Sequence, residues 1–275
     1  MPELPEVEVS RLGLVPHLCG QRIVGAVLRI ARLRHDLPPG LTERIVGLRL
    51  DGIVRRGKYL LFDCESTTGG GWLILHLGMS GSLRLVTPDT PIRKHDHVDL
   101  IFERSVMRLR DPRRFGTLVW HEGRDVGAHP LIAVLGIEPF APDFDGDWLY
   151  AATRKRRAPI KTVLMDSHLV VGIGNIYASE SLFLAGVSPL RPASMLSRQR
   201  CRRLVSAIQT TLEKSIAAGG STVRDYVHSD GGAGRFQLSC SVYGRAGEPC
   251  PRCHAPVRSL HLAGRNTFYC PACQK

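Results

Sequence analysis

Hydrophobic positions near the start of the chain recur at helical spacing. Val7, Leu14 and Leu18 share a face, which predicts a helix over 5–19 whose last turn is kinked or frayed by Pro16. From residue 22 to 120 the pattern changes to short β-rich segments at 22–30, 45–50, 59–64, 72–77, 82–86, 98–102 and 117–120. Clusters such as Pro38-Pro39-Gly40 and Gly69-Gly70-Gly71 read as the turns between them. Many short strands with such punctuation predict a β-sandwich or barrel, with the first helix packed on it and the N-terminus brought to its edge. Pro139 and Pro142 mark a linker, and beyond it helical patterns occupy 146–153, 159–165, 176–186, 196–218 and 221–228. Extended structure returns from 235 onward. The expected organisation is α+β and multidomain: a β-rich domain over 1–135, a helical domain over 136–235 and a small metal-bound tail over 236–275.

Composition narrows the function. Lys and Arg number 37 against 25 Asp and Glu in 275 residues, a net charge of +12, which favours a polyanionic partner, nucleic acid before membrane. No apolar run approaches the roughly 18 residues needed to span a bilayer, and no basic-then-apolar leader opens the chain. Four of the eight cysteines form two C-x-x-C pairs while the others are scattered. That usage suits a reducing cytoplasm and one metal site rather than a disulfide framework.

The cysteines carry the strongest chemical signal. Cys250-x2-Cys253, sixteen residues, then Cys270-x2-Cys273 has the spacing of a four-cysteine zinc site. Four thiolates leave no open coordination position, so the zinc is expected to be structural. The intervening residues fit a β-hairpin whose tip presents Arg258, His261 and Arg265. Upstream, Gly172-Ile173-Gly174-Asn175 runs into a helix, as an ordinary tight turn or as a phosphate-binding one to which Asn175 adds a donor. Arg154-Lys155-Arg156-Arg157 with Lys161 is either a solvated face or a phosphate contact. The turns Leu77-Gly78-Met79-Ser80-Gly81 and Asp111-Pro112-Arg113-Arg114-Phe115-Gly116 each carry large side chains. Met79 and Phe115 read alone as core residues, yet with Arg113 they have the chemistry of a wedge that replaces an extruded base. Lys58 is a strand-end lysine or a cation held near the N-terminus. Finally, Met1 is expected to be removed ahead of Pro2, leaving a secondary amine. An α-amino group titrates near 7.7–8.0 against about 10.4 for lysine, so it is neutral about 300 times more often and is able to form a Schiff base. Pro2, Pro5, Glu3, Glu6 and Glu8 also fit the bland role of opening a helix.

Taken in order, these motifs closely resemble the bacterial formamidopyrimidine-DNA glycosylases of the helix–two-turn–helix superfamily. The resemblance runs from Pro2-Glu3-Leu4-Pro5-Glu6-Val7-Glu8 through Gly57-Lys58-Tyr59-Leu60, His76-Leu77-Gly78-Met79-Ser80-Gly81, Lys94-His95-Asp96-His97, residues 111–116 and residues 172–180 to the cysteine finger. It implies a base-excision-repair enzyme acting on damaged double-stranded DNA as a monomer, with one structural zinc and no small-molecule cofactor. Such an enzyme removes oxidised purines (8-oxoguanine, formamidopyrimidines) and cuts the strand by β- and δ-elimination. By the same resemblance Pro2 is the nucleophile and Glu3 its acid/base. Lys58 assists β-elimination, and Arg265 binds the phosphates flanking the lesion and serves δ-elimination. His95, Arg113, Arg156 and Asn175 contact DNA, while Met79, Arg113 and Phe115 fill the gap left by the flipped nucleotide. Segment 219–236 resembles one that closes over the flipped base. Ionised Glu3 is expected to raise the pKa of the amine, with Lys58 and Arg265 opposing it. Two other readings compete: an endonuclease VIII-type glycosylase for oxidised pyrimidines, and a non-catalytic zinc-ribbon DNA-binding protein.

Overall fold

The computed structural model describes residues 1–67, 69–220 and 240–275. The first helix, α1 (Leu4–Leu18), continues through Pro16 and ends two residues later. Its start is fixed by a capping box: the Glu6 carboxylate accepts from the Glu3 N–H at 2.7 Å, and the Glu3 carboxylate accepts from the N–H of Glu6. Val7, Leu14 and Leu18 are buried as their spacing predicts.

Eight strands follow, interrupted by the short helix α2 (Leu41–Ile45): β1 (Ile23–Leu28), β2 (Arg49–Arg56), β3 (Tyr59–Ser66), β4 (Gly69–His76), β5 (Ser82–Val86), β6 (Asp96–Phe102), β7 (Val106–Arg110) and β8 (Thr117–Glu122). They form two antiparallel four-stranded sheets, ordered β1-β6-β7-β5 and β2-β3-β4-β8. Period-2 alternation places Leu60, Phe62 and Cys64, Leu73 and Leu75, and Val98, Leu100 and Phe102 in one core with α1 and α2. The expected β-sandwich is present.

Three expectations change. The segment 45–50 is not a strand: Leu41 and Ile45, buried at helical spacing, form α2, and β2 begins at Arg49. The three glycines at 69–71 are not a turn but the first residues of β4. A Cβ on Gly70 would lie 2.4 Å from the Cys64 carbonyl oxygen, and one on Gly71 2.4 Å from that of His121. Close backbone approach, not a reversal, is what glycine serves there. Strand β7 escaped the sequence reading because all of Val106–Leu109 is buried, including Arg108, which binds Asp99 through Nε at 2.8 Å and Nη2 at 2.9 Å. That pair erases the alternation.

The described residues fall into two compact units, one holding Met1–Ala133 with 219–220, the other Val134–Ala218 with 240–275. After α3 (Pro130–Ala133), the second unit contains α4 (Gly146–Thr153), α5 (Ile160–Leu164), α6 (Asn175–Ala185) and α7 (Arg198–Ala217). It closes on the hairpin of β9 (Arg258–Leu262) and β10 (Arg265–Tyr269). The helix expected at 221–228 and most of the segment 219–236 lie outside the described residues. Among the described residues no helix is long and apolar enough to cross a membrane.

Candidate active site and nucleic-acid interface

In the first unit, Pro2 and Glu3 are buried at the start of α1, Glu3 being 2% exposed. The capping box holds the Glu3 carboxylate at the start of α1, one residue after Pro2. One turn on, Glu8 binds Arg11 at 2.6 Å and Arg55 of β2 at 2.9 Å, tying α1 to the second sheet. Burial alone would raise the Glu8 carboxyl, but the hydrogen bonds and charges of Arg11 and Arg55 bring it below its ordinary value.

Lys58 occupies a two-residue turn between β2 and β3, opened by Gly57 at φ +57°. His76 closes β4 beside it and its ring lies 4.8 Å from that of Tyr59. Burial, and then the charges of Lys58 and Arg34, push His76 down to about 4. A neutral ring follows, with Nδ1 accepting the Gly78 N–H at 2.9 Å and the proton therefore on Nε2. His76 stands within the 76–81 motif without an assigned role there, and its place between Lys58 and the Met79 turn is seen only in the fold.

The Met79 and Phe115 turns are stapled together. Asp111, fully buried, accepts from Ser80 Oγ at 2.9 Å and from the Gly116 N–H at 2.8 Å, and Ser80 Oγ accepts from the Arg113 N–H at 3.2 Å. The loops touch so closely that a Cβ on Gly78 (φ +64°) would stand 2.4 Å from the Phe115 carbonyl carbon. The staple leaves Met79 and Phe115 on the surface, 38% and 42% exposed, so neither is a core residue. Arg113 stacks its guanidinium 4.8 Å from the Phe115 ring centre. His95, at φ +75°, passes its carbonyl to the Asp111 N–H at 3.0 Å, and His97 Nε2 meets the Asp111 carbonyl at 3.1 Å. His95, Met79, Arg113 and Phe115 therefore belong to one hydrogen-bonded loop cluster.

In the second unit, Gly174 caps the N-terminus of α6 and Asn175 is its first residue. Its side chain is already engaged: Oδ1 accepts from Lys161 Nζ at 2.7 Å and Nδ2 donates to the Asn266 carbonyl at 3.0 Å. Lys161, 1% exposed, also donates to Thr267 Oγ1 at 2.8 Å and so pins the start of α6 to β10. The basic run is not a uniform solvated face. Arg154 donates to the carbonyls of Ala193 and Leu196 and stacks on Tyr150, and Arg156 pairs with Asp166 at 2.9 Å. Lys155 and Arg157 are exposed.

The tip of the zinc hairpin is Ala263-Gly264, with Arg265 beside it and exposed. Arg258 pairs with Tyr269 at the opposite end of the hairpin, so it is not presented at the tip as expected. The Sγ atoms of Cys250, Cys253, Cys270 and Cys273 all lie within 4.8 Å of one another, with Cys250–Cys273 at 3.9 Å and Cys253–Cys270 at 3.5 Å. Zn–S bonds of about 2.3 Å in a tetrahedron require S···S separations of about 3.8 Å, so the four thiolates fit zinc.

An antiparallel β-sandwich, a helical unit and a four-cysteine finger together fit a class, the zinc-finger DNA-repair glycosylases. The chain belongs to the formamidopyrimidine-DNA glycosylase family. Residues 1–118 match the formamidopyrimidine-DNA glycosylase N-terminal domain, 135–227 its H2TH domain and 247–275 the zinc finger found in FPG and IleRS. The chain is 57% identical to the formamidopyrimidine-DNA glycosylase of Dechloromonas aromatica and 52% identical to that of Thioalkalivibrio sulfidiphilus, each over the whole of both chains. Among solved structures, it resembles the Lactococcus lactis Fpg in complex with abasic-site DNA, at TM-score 0.91 and 36% identity over 99% of both chains. It also resembles MutM (FPG) from Thermus thermophilus, at TM-score 0.88 and 39% identity over 99% of this chain and 98% of that one. A further L. lactis complex, at TM-score 0.90 and 36% identity over the whole of both chains, holds DNA containing an oxidised pyrimidine.

Proposed function

We propose that this protein is a bifunctional glycosylase and strand-cleaving lyase for oxidised purines in duplex DNA, with Pro2 as its nucleophile. The observation that carries the reading is the capping box, which buries the Glu3 carboxylate beside the nitrogen that becomes free when Met1 is removed. The Pro2 nitrogen attacks C1′ of the damaged nucleotide as the C1′–N bond to the base breaks, and the proton lost from the Pro2 nitrogen leaves on the base. Glu3 passes a proton to the ring oxygen, the C1′–O4′ bond opens, and an iminium joins Pro2 to the sugar. Loss of a C2′ proton, assisted by Lys58, expels the 3′-phosphate; a second elimination, served by Arg265, expels the 5′-phosphate. Met79, Arg113 and Phe115 fill the vacated place in the duplex, and the exposure of all three suits that task. His95, Arg113, Arg156 and Asn175 contact the DNA. For Asn175, whose side chain is engaged, the backbone N–H groups at the start of α6 provide the phosphate contact. For Arg156, contact entails exchanging Asp166 for phosphate.

One structural zinc per chain is held by Cys250, Cys253, Cys270 and Cys273 and shapes the hairpin that carries Arg265. The division of labour follows three domains, 1–135, 136–235 and 236–275, acting as a monomer without a small-molecule cofactor. The test uses duplexes carrying 8-oxoguanine or thymine glycol, incubated with enzyme and sodium borohydride. A covalent adduct with faster release of 8-oxoguanine is expected. Preference for thymine glycol would move the protein to oxidised pyrimidines, and absence of any adduct would leave a binding protein.

A further inference from the structure

The zinc module rests on α6 at three heights. Lys161 and Asn175 hold β10 at the start of the helix. At the other end, Arg252 donates to the Phe183 and Leu184 carbonyls at 3.1 and 3.2 Å, and Gln274 Nε2 to the Val187 carbonyl at 2.9 Å. Between them stands Glu180, 6% exposed, whose carboxylate accepts three successive backbone N–H groups. Ser241 N–H donates to Oε2 at 2.8 Å, and Val242 and Tyr243 N–H to Oε1 at 2.9 and 2.8 Å. Three consecutive amides around one anion form a nest, and each bond is charge-assisted.

The nest does more than satisfy the carboxylate. Val242, fully buried, is set into the small apolar cluster of Phe183, Val257, Cys250 and Cys270. The Tyr243 ring meets Phe268 edge-on at 5.2 Å, and Phe268 lies on β10, three residues from Arg265. We propose that Glu180 is a positioning residue: its carboxylate seats the zinc hairpin on α6 and thereby aims Arg265. This inference rests on the reading that Arg265 serves the second elimination. Replacing Glu180 leaves the four thiolates, Lys161, Arg252 and Gln274 in place, so the module keeps its metal but loses the bonds that fix residues 241–243. The step that depends on Arg265 then suffers more than base removal, which depends on Pro2 and Glu3.

The test uses zinc-loaded, full-length E180A and E180Q on a duplex containing 8-oxoguanine. Zinc content, borohydride-trapped adduct and the ratio of δ- to β-elimination product in a single turnover are measured, with amide exchange at 241–243. In E180A the metal and the trapped adduct should stay near parental levels while the δ-to-β ratio falls about tenfold, with faster exchange at 241–243. In E180Q the fall should be smaller, because Oε1 still accepts two amides while the new NH2 faces the Ser241 N–H. A parental ratio in metal-loaded E180A, or trapping and δ product lost in equal proportion, overturns the proposal. Should E180A fail to fold or to keep zinc, E180Q decides, and an unchanged ratio there overturns it equally. If the parent protein itself neither traps nor gives δ product, the function proposed above fails instead, a result the parental lane alone reveals.

Discussion

The two regions that carry the proposed chemistry are held in place by different forces. The N-terminal loops and the start of α1 stand on a sandwich whose core gathers more than twenty buried apolar residues from two sheets and two helices. The zinc module has a core cluster of Phe183, Val242, Val257, Cys250 and Cys270, of which two are metal-ligand cysteines. Hydrophobic burial, at about 25 cal/mol per Å², suffices to order the first region. The second is too small for that, and substitutes a metal, a buried lysine and a carboxylate in an amide nest. Rigidity at Pro2 is therefore a property of the fold as a whole, whereas at Arg265 it is a property of a few polar bonds.

Disrupting the metal should break this contrast most sharply. Cys250→Ser, or strong chelation, is expected to release zinc and unfold the hairpin, abolishing tight binding to lesion DNA while circular dichroism still reports the folded sandwich. Loss of β-signal in step with zinc would mean that the two regions are not independent. The converse perturbation is Leu73→Ala, in a side chain with no exposure on β4. It should cost about 2–5 kcal/mol of sandwich stability by denaturant titration and leave zinc content unchanged.

A third effect is read by pH. His76 sits at about 4 in the folded protein against an ordinary 6.5, so the unfolded chain binds more protons between those values. Stability should therefore fall as pH is lowered from about 6.5 to 4, by up to about 3 kcal/mol for this group, and level off below. His76→Gln should remove most of that slope; an unchanged slope would place its origin elsewhere. The smallest expected change comes from Lys161→Met, which leaves Asn175 and Thr267 without their shared donor. Affinity for lesion DNA should drop about tenfold, with zinc retained. A drop as large as that of Cys250→Ser would show that the lysine, not the metal, orders the module.

The same contrast explains what the sequence disclosed. The sandwich was legible because its strands are short, β-rich and bounded by turn residues, and strand β5 occupies the span predicted for it, residues 82–86. The pattern failed where polar groups were buried or glycines served close approach, at β7 and at Gly69–His76. The cysteines were legible because metal spacing is local. The clamps were not, because Lys161 to Thr267 and Glu180 to Ser241 join residues far apart in sequence, and no periodicity marks a lysine or a glutamate that folding will bury. The basic run stayed ambiguous for the same reason: charge counts do not distinguish Arg154, turned inward to carbonyls, from Lys155 on the surface. His76 required its neighbours to be in place before its neutral state could be inferred.

The central claim is that the terminal nitrogen of Pro2 forms the covalent bond. It is tested by reducing the complex of enzyme and 8-oxoguanine duplex with borohydride and mapping the adduct by mass spectrometry. Protein lacking Met1 is compared with protein in which an added residue makes that nitrogen an amide, whose lone pair is delocalised and cannot attack a sugar. The account predicts an adduct on the Pro2 peptide in the first and none in the second, with DNA still bound unless the added residue fills the pocket. An adduct forming at the parental rate in the blocked protein, mapped to Lys58 or any other side chain, would contradict it.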